Sequence, residues 1–139
     1  MNLVGEVGLS VLSENGFEDN IEKIICISPT KIIKKGQTVG GISQAPQYVW
    51  LYHEKFFDDV DLVEKLKGLL HQLLKKSEAI QMLNKKYDTR INIYLRSEQG
   101  QLGYIIPKEI FKMAAELELD MHFHILSLGM VDIDNDDIV

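Results

Sequence analysis

Three polar side chains near the C-terminal end have the spacing of one face of a strand. Asp120, His122 and His124 alternate with apolar residues, so a strand here would project all three from one side. Two imidazoles placed in this way can bind one metal ion. Any further ligand, such as Cys26 or His53, would have to be supplied by the fold. The sequence therefore favours a hydrogen-bonded polar strand face over a metal site, and predicts no cofactor.

A basic loop that is rich in glycine is the second candidate for chemistry. It spans residues 29–47 and carries Lys31, Lys34 and Lys35 close to Gly36. Such a loop can hold a phosphate or another anion, although neither nucleotide-binding fingerprint, G-x-x-x-x-G-K-[ST] or G-x-G-x-x-G, is present. Loops of this length are usually functional or mobile. The Lys31–Gly41 stretch is therefore a candidate site for a partner or a small ligand.

Aromatic residues alternate along the strand predicted after this loop. Tyr48, Trp50 and Tyr52 would lie on one side of that strand. A row of this kind can stack on bases or sugars, although packing in a core is its more common use. We retain Trp50, with the three loop lysines, as a candidate partner-binding residue.

The negative charge of the chain is concentrated near its C-terminal end. The formal net charge is −6, and four aspartates fall within the last eight residues: Asp132, Asp134, Asp136 and Asp137. Their spacing is similar to the start of a calcium loop, but Asp137 stands where that loop needs glycine. Acidic residues suit a basic protein partner, whereas sequence-independent binding of nucleic acid needs a basic face. We expect these aspartates to bind a protein partner and expect no nucleic acid.

No pattern in the sequence indicates an enzyme. Serine, cysteine and threonine occur in no nucleophile motif such as G-x-S-x-G, and Asp58-Asp59 is better explained as a helix start than as an acid/base pair. The single cysteine, Cys26, lies among isoleucines, which predicts a small buried residue in a reducing compartment. With neither a signal-peptide pattern nor a long apolar run, we expect a cytoplasmic protein that does not enter a membrane.

The elements that must position these residues follow from hydrophobic periodicity. Alternation of apolar and polar residues predicts strands over 3–12, 48–53, 89–95 and 119–125. Helical spacing predicts a short helix before Pro29, a long one from Val60 to Leu74, a third that Ser77 caps and a fourth that starts at Pro107. A small hairpin around Gly40-Gly41 and a short returning strand over 102–105 complete the prediction.

Strands with one apolar side suit a sheet that helices cover on one face. We therefore predict a single α+β domain over residues 1–130, followed by the acidic tail over 131–139. The sheet is expected to be mostly antiparallel or mixed, with roughly four to five strands. A chain of 139 residues can bury such a core without a disulfide or a structural metal.

The order of these features is similar to that of one protein family. The features are an Ile-rich helix before Ser28-Pro29-Thr30-Lys31, a Lys-Lys-Gly turn, Trp50 in a strand, the Leu-rich helix and the closing Leu119-Asp120-Met121 strand. Over roughly residues 3–126 this order resembles the bacterial domain of unknown function numbered 4279. His122 and His124 depart from the expected acidic or apolar residues. The resemblance implies a small cytosolic bacterial α+β domain and brings no catalytic residues with it.

Three kinds of function stay open. We expect a non-catalytic binding protein, of the type of an immunity protein that neutralises a cognate basic toxin, such as a nuclease, by occluding its active surface. The first alternative is a metal-binding protein or an enzyme that uses His122 and His124. The second alternative is a small-ligand-binding protein that uses the Lys31–Gly41 loop. The sequence leaves the oligomeric state open.

Overall fold

The computed structural model describes residues 3–99 and 103–130 of the chain. The strands are β1 (Leu3–Ser13), β2 (Lys31–Ile33), β3 (Thr38–Val39), β4 (Ser43–Gln44), β5 (Tyr48–Phe56), β6 (Asp88–Gln99) and β7 (Asp120–Met130). The helices are α1 (Ile21–Ile25), α2 (Asp59–Leu74), α3 (Ser77–Lys86) and α4 (Lys108–Glu116). The tail over 131–139, with its four aspartates, lies outside the described residues.

A five-stranded mixed sheet forms the body of the domain, in the order β2-β5-β1-β6-β7. The central strand β1 is antiparallel to both β5 and β6, and β2 is antiparallel to β5. Strand β7 is parallel to β6, which requires the crossover connection that contains α4. The short strands β3 and β4 pair separately as the hairpin predicted around Gly40-Gly41. The predicted α+β class is confirmed.

The helices cover one face of this sheet because only that face is apolar. In β1, Val7, Leu9 and Val11 are buried on the helix side, and the residues between them point to the opposite side. The largest fully buried side chains of this layer are Leu3, Leu9, Phe56, Ile91 and Ile93 on the sheet and Leu62, Leu66, Leu70, Leu73, Ile80 and Leu83 on α2 and α3. Burying each such side chain contributes about 1.5–3 kcal/mol. We call the side of the sheet opposite the helices the open face.

Side-chain capping explains the starts of α1 and α2, whereas α3 and α4 start without a side-chain cap. Pro107 is the N-cap of α4, one residue before the helix, and not its first residue as predicted. Asp58 caps α2, since its Oδ1 accepts a hydrogen bond of 2.7 Å from the backbone N–H of Asp61, and Asn20 caps α1 through the N–H of Lys23. Both agree with the predicted helix starts. The prediction that Ser77 caps α3 is wrong: Lys76 occupies the cap position without a side-chain hydrogen bond, and Ser77 is the first helical residue.

Three further sequence predictions need correction. Cys26 is exposed, because it is the C-cap of α1 with a left-handed φ of 60°, while its neighbours Ile25 and Ile27 are buried. The strand predicted over 89–95 is longer than expected, since β6 continues to Gln99. Residues 103–106 form no returning strand, and Leu102 lies outside the described residues.

Within the described part of the chain, no helix is both long and apolar enough to cross a membrane.

Candidate binding site

The open face gathers polar and aromatic side chains from the three central strands and β7. Strand register places Glu6 of β1 beside Tyr94 of β6, and Tyr94 beside His124 of β7. His53 of β5 lies opposite Gly8 of β1. Because side chains alternate between the two faces, these groups all project away from the helices.

Three rings lie in a row across this face, and we call His53, Tyr94 and His124 the ring row. The rings of Tyr94 and His124 are stacked, with centroids 4.4 Å apart and an angle of 13° between their planes. The rings of His53 and Tyr94 are tilted by 55°, with centroids 5.3 Å apart. The row crosses from β5 to β7, so one contiguous surface joins four strands.

The ring row depends on the missing side chain at position 8. A Cβ atom at Gly8 would clash with the His53 ring and with the carbonyl oxygen of Tyr52. Glycine inside a strand commonly marks such a close approach. Gly8 therefore gives the His53 imidazole the space to lie over β1.

The imidazole of His53 is oriented by a carboxylate. Its Nδ1 lies 3.2 Å from Oε2 of Glu6, and a carboxylate at this distance assigns the ring proton to Nδ1. The backbone N–H of His53 donates to Thr30 Oγ1 at 2.9 Å. The Nε2 atom is buried and has no hydrogen-bond partner among the described residues. An oriented imidazole is the arrangement of a general base, but this Nε2 is shielded from solvent.

A second chain of polar contacts supports the other end of the row. The Oδ1 atom of Asn92 lies 3.2 Å from Nε2 of His124, so this imidazole nitrogen is the donor. The amide nitrogen of Asn92 donates to the hydroxyl of Ser10. Asn92 and Ser10 are both buried, and a buried polar group without a hydrogen bond would be costly. Their hydrogen bond to each other avoids this cost. These contacts fix the plane of the His124 ring.

Partial desolvation shifts the pKa values of both stacked rings towards the uncharged form. The pKa of His124 lies below its ordinary 6.5, chiefly because of burial, and the charges of His122, Arg90 and His53 act in the same direction. The pKa of Tyr94 is raised, first by burial and then by the charge of Glu6, while Arg90 opposes this shift. The Tyr94–His124 pair therefore forms a neutral aromatic wall.

A groove opens at the end of the ring row, with a volume of about 840 Å³. We call it the end groove, and its inner wall is formed by Tyr94 and His124. The other lining side chains used below are Val4, Glu6, Lys55, Phe57, Arg96 and Leu126. This volume lies within the range of about 300–1,000 Å³ that is common for sites of small molecules. The end groove is thus large enough for a ligand of that class.

The proposed metal ligands share a face but do not form a metal site in the described part of the chain. Asp120, His122 and His124 lie on the open side of β7, as their spacing predicted. No group of three histidine, cysteine or acidic side chains in that part has the geometry to hold an ion. His124 is turned to Asn92, and Nδ1 of His122 lies 3.5 Å from the Arg90 guanidinium. A cation beside His122 disfavours a second cation there.

The loop candidates are spread over the surface, and Trp50 is not among the exposed residues. Lys31 lies on β2, and Lys34 and Lys35 lie in the turn before β3, where Lys35 Nζ reaches the carbonyl oxygen of Glu14 at 3.4 Å. Trp50 is 4% exposed and belongs to the core. Its indole faces the helices, so it offers no surface to a partner, and this removes it from the candidate set.

Sequence reasoning missed the residues that shape the end groove. Lys55, Tyr94 and Arg96 are ordinary polar-face residues of their strands, and alternation in β5 and β6 was the only signal for them. Their convergence depends on the register with β1, which pairs Val4 with Arg96 and Glu6 with both Lys55 and Tyr94. Register between distant strands is not visible in local spacing.

Comparison with known proteins identifies the family. Residues 3–128 match the family described as Domain of unknown function (DUF4279), which confirms the resemblance seen in the order of sequence features. The chain belongs to this family. Searches among curated proteins and among solved structures each found no match.

The role of Gly8 can be tested with a pair of glycine substitutions. Gly8→Ala should lower the free energy of unfolding by about 1–3 kcal/mol, because the new Cβ clashes with the Tyr52 carbonyl oxygen and with the His53 ring. Gly68→Ala is the matched control, since a Cβ there meets no atom within 4 Å, and removal of a helical glycine should stabilise α2 by about 0.5–1 kcal/mol. Urea denaturation measures both changes. A Gly8→Ala variant as stable as the parent protein would contradict this role.

The environment of His124 predicts a specific titration. NMR should place the pKa of His124 below 6.5, and His122→Ala should raise it, because one of the charges that lowers it is removed. At pH values between the folded pKa of His124 and 6.5, the folded state then binds fewer protons than the unfolded state. This group therefore lowers stability as the pH falls from 6.5 towards the folded pKa of His124. A measured pKa at or above 6.5 would refute the assigned environment.

Proposed function

We propose that this protein is a non-catalytic binding protein and that a small amphipathic ligand occupies the end groove. The observation that carries the proposal is the groove itself, about 840 Å³ in volume and lined in large part by residues of the open face. Ligand sites typically combine an apolar lining with a few convergent polar groups, and the end groove has both. This function corresponds to the small-ligand alternative predicted from the sequence. The site that we propose for the ligand is on the sheet and not in the Lys31–Gly41 loop.

Aromatic and apolar side chains supply the contact area. Tyr94 is 37% exposed and lines the groove together with the His124 ring that stacks on it. Phe57 and Leu126 flank the groove and are 71% and 53% exposed. Exposed apolar groups around a concave surface are typical of binding sites.

The supporting contacts favour binding over catalysis. The ring row is held by Gly8, Glu6 and Asn92, so the wall of the groove is ordered before a ligand arrives and the entropic cost of binding is reduced. His53, which has the orientation of a base, is not among the residues that line the groove. We therefore infer that the Glu6–His53 pair positions the ring row and takes no part in catalysis.

The test is NMR shift mapping of the labelled protein with a library of aromatic fragments of mixed charge. Binding fragments should shift the amides of Val4, Tyr94 and Arg96 most strongly. Tyr94→Ala should weaken binding by roughly tenfold, which corresponds to the loss of one stacked ring. Phe111→Ala, which removes an exposed ring on α4, is the control and should leave binding unchanged. Fragments that bind only outside the groove, or not at all, would overturn the proposal.

A second candidate function is supported by the acidic C-terminal residues. We propose as an alternative that Asp132, Asp134, Asp136 and Asp137 bind a basic protein partner, as in an immunity protein that occludes a toxin. The support is their share of the net charge of −6, because complementary charge speeds association and sets specificity.

This alternative has a direct binding test. If a toxin-like protein is encoded next to this one, the two should form a complex when mixed. Changing the four aspartates to asparagine should weaken that complex at least about tenfold, while the matched change of Glu14, Glu64, Glu109 and Glu116 to glutamine should not. A complex that is insensitive to the four aspartates would exclude this role for them.

A further inference from the structure

We infer that the end groove selects an anionic ligand, a carboxylate or phosphate joined to a flat apolar ring. The inference rests on the proposed ligand-binding function and adds the chemical class of the ligand. It depends on three features of the groove: two cations without an acidic partner, a carboxylate that is turned away, and a neutral aromatic wall.

The two cations of the groove are available for a ligand. Lys55 and Arg96 line the groove, and neither has a carboxylate within ion-pair distance among the described residues. By contrast, Arg90, the other arginine of this face, is paired with Asp88 and lies against His122. Lys55 and Arg96 thus give the groove its positive charge.

The positions of these cations suit one anionic group between them. Lys55 is on β5 and Arg96 is on β6, with β1 between the two strands. Lys55 pairs with Glu6 and Arg96 pairs with Val4, two residues away along β1. With strands about 4.8 Å apart and a rise of about 3.4 Å per residue, the two backbone positions are roughly 12 Å apart, which the two long side chains can span together. Arg96 lies opposite Val4, whose small side chain leaves space above β1. Arginine offers a planar pair of donors that matches a carboxylate or phosphate.

The acidic residue of the groove cancels only part of this charge, because one carboxylate faces two cations. Glu6 is the cross-strand neighbour of Lys55 but directs its carboxylate to His53, with Oε2 3.2 Å from Nδ1. Oriented in this way, Glu6 repels an anion less strongly than it would if it pointed between the two cations. The Glu6–His53 hydrogen bond therefore serves selectivity as well as the order of the ring row.

The remaining wall selects the rest of the ligand. The stacked Tyr94–His124 pair forms an aromatic wall beside the cations, and Leu126 adds an apolar side chain to the lining. A ligand ring packed against this wall would place its acidic substituent towards Arg96. A ligand of opposite charge would meet Lys55 and Arg96 instead, so the groove disfavours amines.

A matched series of ligands tests the inference. Benzoate, phenyl phosphate, benzyl alcohol and benzylamine share one ring and differ in charge, and NMR titration at low salt gives a Kd for each. Benzoate and phenyl phosphate should bind at least about tenfold more tightly than benzyl alcohol, and benzylamine should bind most weakly. Added salt should weaken only the binding of the two anions.

Substitutions in the groove assign the effect to its cations. Arg96→Gln and Lys55→Gln should each raise the Kd of benzoate by about tenfold and leave that of benzyl alcohol unchanged. Lys112→Gln, an exposed position on α4, is the control and should change neither. If all four compounds bind the groove equally, the anionic preference is wrong while the binding function stands. If none shifts the groove residues, both proposals are wrong.

Discussion

A side chain at position 8 and the imidazole of His53 cannot occupy the same space. Because Gly8 has no side chain, His53 lies over the central strand, where Glu6 orients it and Tyr94 contacts it. Tyr94 in turn stacks on His124, whose plane Asn92 fixes. One missing methyl group thus permits a continuous ring row across four strands, and two of its three rings, Tyr94 and His124, line the end groove.

The one-sided packing of the sheet explains why these groups are available for binding. The helix side holds the apolar core, with α2 lying against the central strands, so the stability of the domain does not rest on the open face alone. Polar side chains on the open face pair with one another rather than with helices. Lys55 and Arg96 are exceptions among the described residues, because they line a groove without an acidic partner.

Local patterns in the sequence predicted most of the fold but little of the groove. The α2 helix and the alternation of β1 are periodic signals that depend on near neighbours, and the structure confirms both. The aromatic alternation around Trp50 predicted a one-sided strand, but the side that it faces is decided by packing. Cys26 was misjudged because a left-handed C-cap turns a residue outward among buried neighbours. The meeting of Lys55, Val4 and Arg96 arises from register between distant strands, which no local pattern encodes.

The most direct test of the binding account is a crystal structure of the protein soaked with phenyl phosphate. The account predicts that the phosphate lies between Lys55 and Arg96, above Val4, and that the phenyl ring lies against the Tyr94–His124 pair. The His53 imidazole should remain over Gly8, with its Nδ1 hydrogen-bonded to Glu6. Phosphate bound at the Lys31–Gly41 loop with an empty end groove would contradict the account.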